Sequence, residues 1–581
     1  MPALVAVSAL TLTACGGGGG KSGAAAVPSA SASVQNFAIG AAALSNGPAA
    51  PVPGATPGGT AYELENAGID YLDPSQQYVN NQQIIGNLYS RQLTGYRTDP
   101  ATGKVVLVGD MATDTGHTTD GGKTWTFTLK KGLKFQDGTP ITSHDVKYAI
   151  ERLYQDYQTQ GPLYIQQWLS GANYRDTYKG PQSGDLPDSV LGTPDDQTIV
   201  FHFQSPHTDA PYAMNMPNVT AIEKSKDTGQ AYNNGPQSIG PYMIQSYTPD
   251  KQLVLVKNPN WDPSTDPIRH QYVDKWELDL GIATPLMTQR LMAGSGTDND
   301  ALTVATSADP AQIKTIATDP QYKNRTENEF LPFVDVYNIN MSRVTNPAVR
   351  KALATALPVA NIIKENGGSA TGEVASNLMS PTVSGWQNTD PLGIKANPNG
   401  DPDKAKQILQ AAGQMGYKIE YAYSNTDIQQ KVSVAVQDAL TRAGFTVERQ
   451  QLDPTSYYTQ IGKVNNQYDL YRSGWGADWP VGSAVIPPTL DGRQIADGAN
   501  NYSHYNNTAM NSEMDRISAI GDLGQQSAQW MTLADKILST DIPEIPVEYD
   551  KYFNIYGAGL GGVDYNQVLG AISLNDIFVK K

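Results

Sequence analysis

Near the end of the chain, the run YDLYRSGWGADWP (Tyr468 to Pro480) sets two tryptophans around one aspartate. An alternating apolar stretch through Leu470 and Tyr471 reads as a strand that ends at Gly474. Trp475, Asp478 and Trp479 follow it. A carboxylate drawn out of water must be paired. A cationic group suits it, because the bond is charge-assisted. That is the chemistry of recognition. No convincing catalytic set accompanies it: there is no GxSxG elbow, no HExxH and no GxxxxGK[ST] phosphate loop. The chain is therefore expected to be no enzyme and no ATPase.

Metal and redox chemistry find little support. Cys15 is the single cysteine, so no intramolecular disulfide and no thiolate metal site can form. The six histidines are scattered. The nearest pair, His202 and His207, reads as packing or surface. Asp298-Asn299-Asp300 lacks the spacing and closing glutamate of a calcium loop. No metal and no cofactor is expected. Thr118 to Trp125 fits the Asp-box of sialidase-like propellers, but in one copy, where a propeller repeats it in each blade. A glycoside hydrolase is thus a remote alternative.

In WTFTLKKGLKFQDGTPITSHDVKYAIERLY (Trp125 to Tyr154), Trp125, Phe127 and Leu129 alternate with polar residues as in a half-buried strand. Asp137-Gly138 and Pro140 break the chain. Thr142 is placed to cap a helix, with Asp145 closing an Asp-for-Glu capping box. Val146, Ala149, Ile150 and Leu153 make its buried face. Asn346-Pro347 caps a second helix, expected to stop or kink at Pro358. Asp401-Pro402 starts a third, closed by Gly413. Strand 417–423, helix 428–443 and strand 445–450 form a βαβ unit, which calls for a parallel sheet. The residues alone therefore argue α/β.

The ordered set in Trp125 to Tyr154 resembles the signature of the family 5 extracellular solute-binding proteins, receptors of ABC importers. Asp70-Tyr71-Leu72-Asp73-Pro74, Gly240-Pro241-Tyr242, Asn258-Pro259-Asn260-Trp261 and Tyr337 to Leu353 follow in the family's order, so the resemblance runs from about 60 to 480. It implies a two-lobed, periplasmic-binding-protein-like (type II) fold with an extra inserted domain. The implied limits are 61–92, 210–330 and 540–581 for a discontinuous lobe I, 93–209 for the extra domain, and 331–539 for lobe II. In the oligopeptide-binding members a Gly-Trp-x-Ala-Asp-aromatic run lies at the cleft, and its aspartate pairs with the peptide's α-amino group. Carried over, Gly474, Trp475 and Asp478 match, Trp479 replaces a tyrosine, and Pro480-Val481-Gly482 departs from the usual Asp-Pro. Tyr71, Tyr89 and Tyr471 are weaker lining candidates.

The N-terminus reads as an address. Residues 3–12 are apolar but too short to span a bilayer. Leu12-Thr13-Ala14-Cys15 resembles a lipobox, implying a signal peptide over 1–14 and a lipid on Cys15. Met1-Pro2 lacks the positive charge such a segment wants, so the natural start is expected upstream. Residues 15–60, rich in Gly, Ala, Ser and Pro, are expected to be a disordered linker. A net charge of −16 argues against nucleic acid as a partner.

These readings converge on a monomeric receptor, tethered to the extracytoplasmic face of the cell membrane. It is expected to capture peptides by hinge closure and deliver them to an ABC permease. The same fold binding an oligosaccharide, a nickel complex or a signalling peptide is the closer alternative.

Overall fold

The computed structural model describes residues 38–581. Residues 1–14, Cys15 and the linker as far as residue 37 lie outside the described residues.

Two sheets organise the chain. One has five strands, in the order 301–302, 60–64, 275–279, 252–257, 242–248. The other has six, in the order 372–374, 544–555, 326–339, 470–476, 418–424, 446–452. In the second, strands 418–424 and 446–452 pair in parallel around helix Asp427–Arg442, the expected βαβ unit. Residues 93–209 carry further three-stranded pairing, with Trp125 opposite Phe201 and Phe127 opposite Ile199. Among the described residues no helix is long and apolar enough to cross a membrane.

Local signals behave as the sequence dictates. The Thr142 N–H and hydroxyl both donate to Asp145 Oδ2 at 2.8 Å, closing the capping box on helix Ser143–Arg152. Helix Pro347–Ala356 is capped by Asn346, whose side chain accepts from the Ala348 N–H at 2.9 Å, and Pro358 separates it from helix Val359–Asn366. The Asp-box is a turn: Asp120 Oδ1 accepts from the N–H groups of Lys123 and Thr124 at 3.1 and 2.8 Å.

Two expectations are corrected. Residues 38–60 are not a free linker. Ala38 and Ile39 pair in parallel with Val106 and Leu107. Ser45 Oγ accepts from the Gly109 N–H, Ala49 N–H donates to Asp266, and Gly58 N–H donates to Tyr272. Backbone groups make these bonds, so small residues suffice, and composition alone does not reveal them. Second, strand Glu544–Ile555, assigned above to lobe I, lies inside the six-stranded sheet. It pairs with Thr326–Ile339 from Thr326↔Ile555 to Asn338↔Glu544.

These two long strands join the lobes. At one end they sit in the six-stranded sheet. At the other, Phe553 and Ile555 pack with Leu64, Met287 and Leu291 beside the five-stranded sheet. Their register shifts between Phe330 and Val334, a bulge that bends the ribbon.

Candidate functional site

Strand Leu470–Gly476 delivers the aspartate to a meeting of three chain segments. Asp478 Oδ2 accepts from the Tyr78 hydroxyl at 2.9 Å and from the Tyr164 hydroxyl. Tyr78 lies just before helix Asn80–Gly86, and Tyr164 opens helix Tyr164–Ser170 of the inserted region. No cation pairs with Asp478 among the described residues. Burial pushes its carboxyl up to about 6, and the two phenol donors hold it below what burial alone would give.

Trp479 is a strut across this seam and does not line open space. It is 1% exposed, its Nε1–H donates to Asp209 Oδ2 at 3.1 Å, and its ring meets those of Tyr164 and Trp168 at 4.6 and 6.1 Å. One continuous apolar core thus runs from the inserted region into lobe II. His207 stacks on Trp168 at 3.9 Å, and burial lowers its imidazole to about 3, so it is a neutral packing residue.

The other expected lining residues divide. The Trp475 indole N–H donates to the Ala484 carbonyl at 2.7 Å, and its ring borders a cavity of about 20 Å³ with Gly474, Ser473 and Glu544. Tyr471 and Tyr89 are core residues, both fully buried. Their hydroxyls donate to the carbonyls of Tyr502 (2.6 Å) and Leu72 (2.9 Å). The phase of its strand turns Tyr471 inward, and Tyr89, in the turn after helix Asn80–Gly86, packs with Ile84, Ile85 and Leu253, so both rings are core. Tyr71 is half-buried, and its carbonyl accepts from Gln77.

A second, larger space lies on the opposite face of strand Leu470–Gly476. It is a cleft of about 560 Å³ at the carboxyl ends of the parallel strands, and Ser307 of lobe I closes one side. Open α/β sheets bind ligands at such ends. Arg472 stands in it, bonded to Asp335, to Glu548 at 3.3 Å and to the Asn366 side-chain oxygen Oδ1 at 3.2 Å. A Cβ at Gly474 would meet the Asp335 carboxylate, which would have to shift to admit it. Oxygens of Asp335, Glu548 and Asp550 lie within 4.8 Å of one another. Burial, opposed by Arg472, lifts Glu548 to about 7. Burial and then the two neighbouring carboxylates raise Asp550 well above the usual range.

Sequence reading missed Tyr78, Tyr164, Asp335, Glu548 and Asp550. Arg472 lay in the quoted run as its only cation. Glu544, Glu548 and Asp550 stand on a strand that is buried almost throughout, where acidic residues are rare unless paired.

Residues 106–497 match the family described as bacterial extracellular solute-binding proteins, family 5 Middle. The periplasmic oligopeptide-binding protein OppA of Salmonella typhimurium is 22% identical over 547 residues, 89% of this chain and 94% of its own. The probable D,D-dipeptide-binding periplasmic protein DdpA of Escherichia coli is 24% identical over 421 residues, 70% of this chain and 73% of its own. Among solved structures, clavulanic acid biosynthesis oligopeptide binding protein 2 superposes with a TM-score of 0.83 at 28% identity, covering 93% of this chain and 100% of that one.

Proposed function

The chain belongs to the bacterial extracellular solute-binding proteins of family 5, and from that premise we propose that it captures peptides between its lobes and hands them to an ABC importer. The family consists of binding proteins of transport systems and not of enzymes. The names of the relatives, oligopeptide- and dipeptide-binding, support a peptide ligand. The observation that carries the reading is Asp478. It is a carboxylate without a counter-cation, at a seam built by three distant segments. A peptide's α-ammonium supplies the missing charge, with main-chain bonds to an extended ligand adding affinity. The amine chemistry favours peptide over oligosaccharide.

Closure follows from the layout. The lobes are joined by two strands bent at a bulge, and Tyr78 and Tyr164 meet Asp478 across the seam, an arrangement that supports closure by a hinge. A ligand that touches both sides stabilises that state.

Calorimetric titration of the full chain, refolded to strip co-purified ligand, tests this. Tri- to pentapeptide pools with free N-termini should bind. Acetylated pools and Asp478→Asn should lose about ten- to a hundredfold, the weight of one charge-assisted bond. Because the ammonium favours ionised Asp478, affinity should be full above its folded value of about 6 and fall toward tenfold per pH unit below it. Equal binding of free and acetylated pools would retain the family and remove the amine clamp.

The proposal includes a monomer tethered by lipid on Cys15 at the extracytoplasmic membrane face, supported by the lipobox-like run Leu12 to Cys15. Labelled palmitate should enter the protein in bacterial cells and be absent from Cys15→Ser. Label retained in that variant would sink the tether.

A further inference from the structure

Resting on the reading as a peptide receptor, we propose that the hinge-side cleft takes a cationic side chain of the ligand, a guanidinium or ammonium, against Asp335, Glu548 and Asp550.

The charge count in the cleft is unbalanced. Arg472 alone faces the three carboxylates, because the Lys551 ammonium, which also lines the cleft, bonds Glu373 at 3.3 Å. Arg472 bonds Asp335 and Glu548 and makes no bond to Asp550. The Asp550 carboxylate has no hydrogen bond or ion pair among the described residues, although it lines a space large enough for a long side chain. Buried like charges this close resist ionising together. An incoming cation would remove that penalty.

The walls suit a planar cation. Tyr423, Tyr457 and Tyr458 line the same cleft, and Tyr458 is 53% exposed. The protein's own Arg449 already lies 5.8 Å over the Tyr423 ring, on a face a guanidinium favours. The Arg472 guanidinium, set between two of the carboxylates, disfavours a divalent ion and leaves Asp550 for a singly charged organic group. For the same reason Arg472 is spent on protein acids and is a poor receptor for a ligand carboxylate.

The test is a calorimetric series on the full chain, refolded to strip bound ligand. Alanine pentapeptides carry arginine, or neutral isosteric citrulline, at each position from two to five. The best arginine peptide should bind about ten- to a hundredfold tighter than its citrulline twin. In Asp550→Asn that ratio should fall toward one. A wild-type ratio of one, with both peptides binding, overturns this inference and leaves the peptide receptor standing. Failure of every pentapeptide overturns both. Micromolar binding of Mn²⁺ that Asp550→Asn abolishes overturns it in favour of a metal site.

Discussion

Replacing Arg152 by methionine should destabilise the protein by about 3–5 kcal/mol, the usual loss when one member of a buried ion pair is removed. Arg152 ends helix Ser143–Arg152 and is fully buried. Its Nη2 meets Asp73 Oδ2 at 3.0 Å, its Nε meets Asp227 Oδ2 at 2.8 Å, and its Nη1 donates to Ser75 Oγ at 2.9 Å. The guanidinium also lies 5.0 Å over the Tyr232 ring. Methionine retains much of the volume, so the loss is chiefly electrostatic: two buried aspartates keep their desolvation cost without a counter-charge. Asp73 opens the segment that ends at Tyr78, so the same change should loosen one donor to Asp478 and weaken peptide binding. Chemical denaturation reads the first effect, and Arg152→Met with Asp73→Asn should recover part of it. A shift below about 1 kcal/mol would show the network to be dispensable.

Glu544→Gln should act in the opposite direction, and increasingly so as pH rises. Glu544 is 4% exposed, its carboxyl makes no hydrogen bond or ion pair among the described residues, and it borders the small cavity beside Trp475. Burial pushes its carboxyl from 4.5 up to about 8. Below pH 4.5 the acid is protonated in both states and costs nothing. Between about 4.5 and 8 the unfolded chain releases a proton that the folded chain keeps. Stability from this residue therefore falls by about 1.4 kcal/mol per pH unit over that window. Glutamine carries no charge at either end, so the variant should match the parent near pH 4.5 and exceed it by about 3–5 kcal/mol at pH 8. Parallel stability profiles from pH 4.5 to 8 would show that Glu544 is ionised in the fold.

What could be read from the sequence was what depends on neighbours in the chain. Thr142 and Asp145, Asn346 and Pro347, and the βαβ unit ending at residue 452 are local devices, and each is present. Asp478 and Trp475 were singled out only through a family motif, and the proposed site rests on them. The partners of Asp478 were not, because Tyr78 and Tyr164 stand 400 and 314 residues away along the chain. Tyr471 and Tyr89 are buried for a related reason: a tyrosine suits core or cleft equally well, and only its place in the fold decides. Residues 38–60 hid their order because backbone amides make the contacts. The tail hid its place because a strand's sequence does not say which sheet it joins.

The placing of Glu544–Ile555 also sets a timetable for folding. This strand lies between Gly372–Val374 and Thr326–Ile339, in the interior of the six-stranded sheet. A chain made from its N-terminus has the other five strands of this sheet before this one, yet leaves a long edge of Thr326–Ile339 unpaired until nearly the last residues emerge. Such distant pairings come late and slowly. The last stretch of synthesis thus completes both the sheet and the joint between lobes, and a chain truncated before residue 544 should keep its helices and hairpins but remain without a hinge.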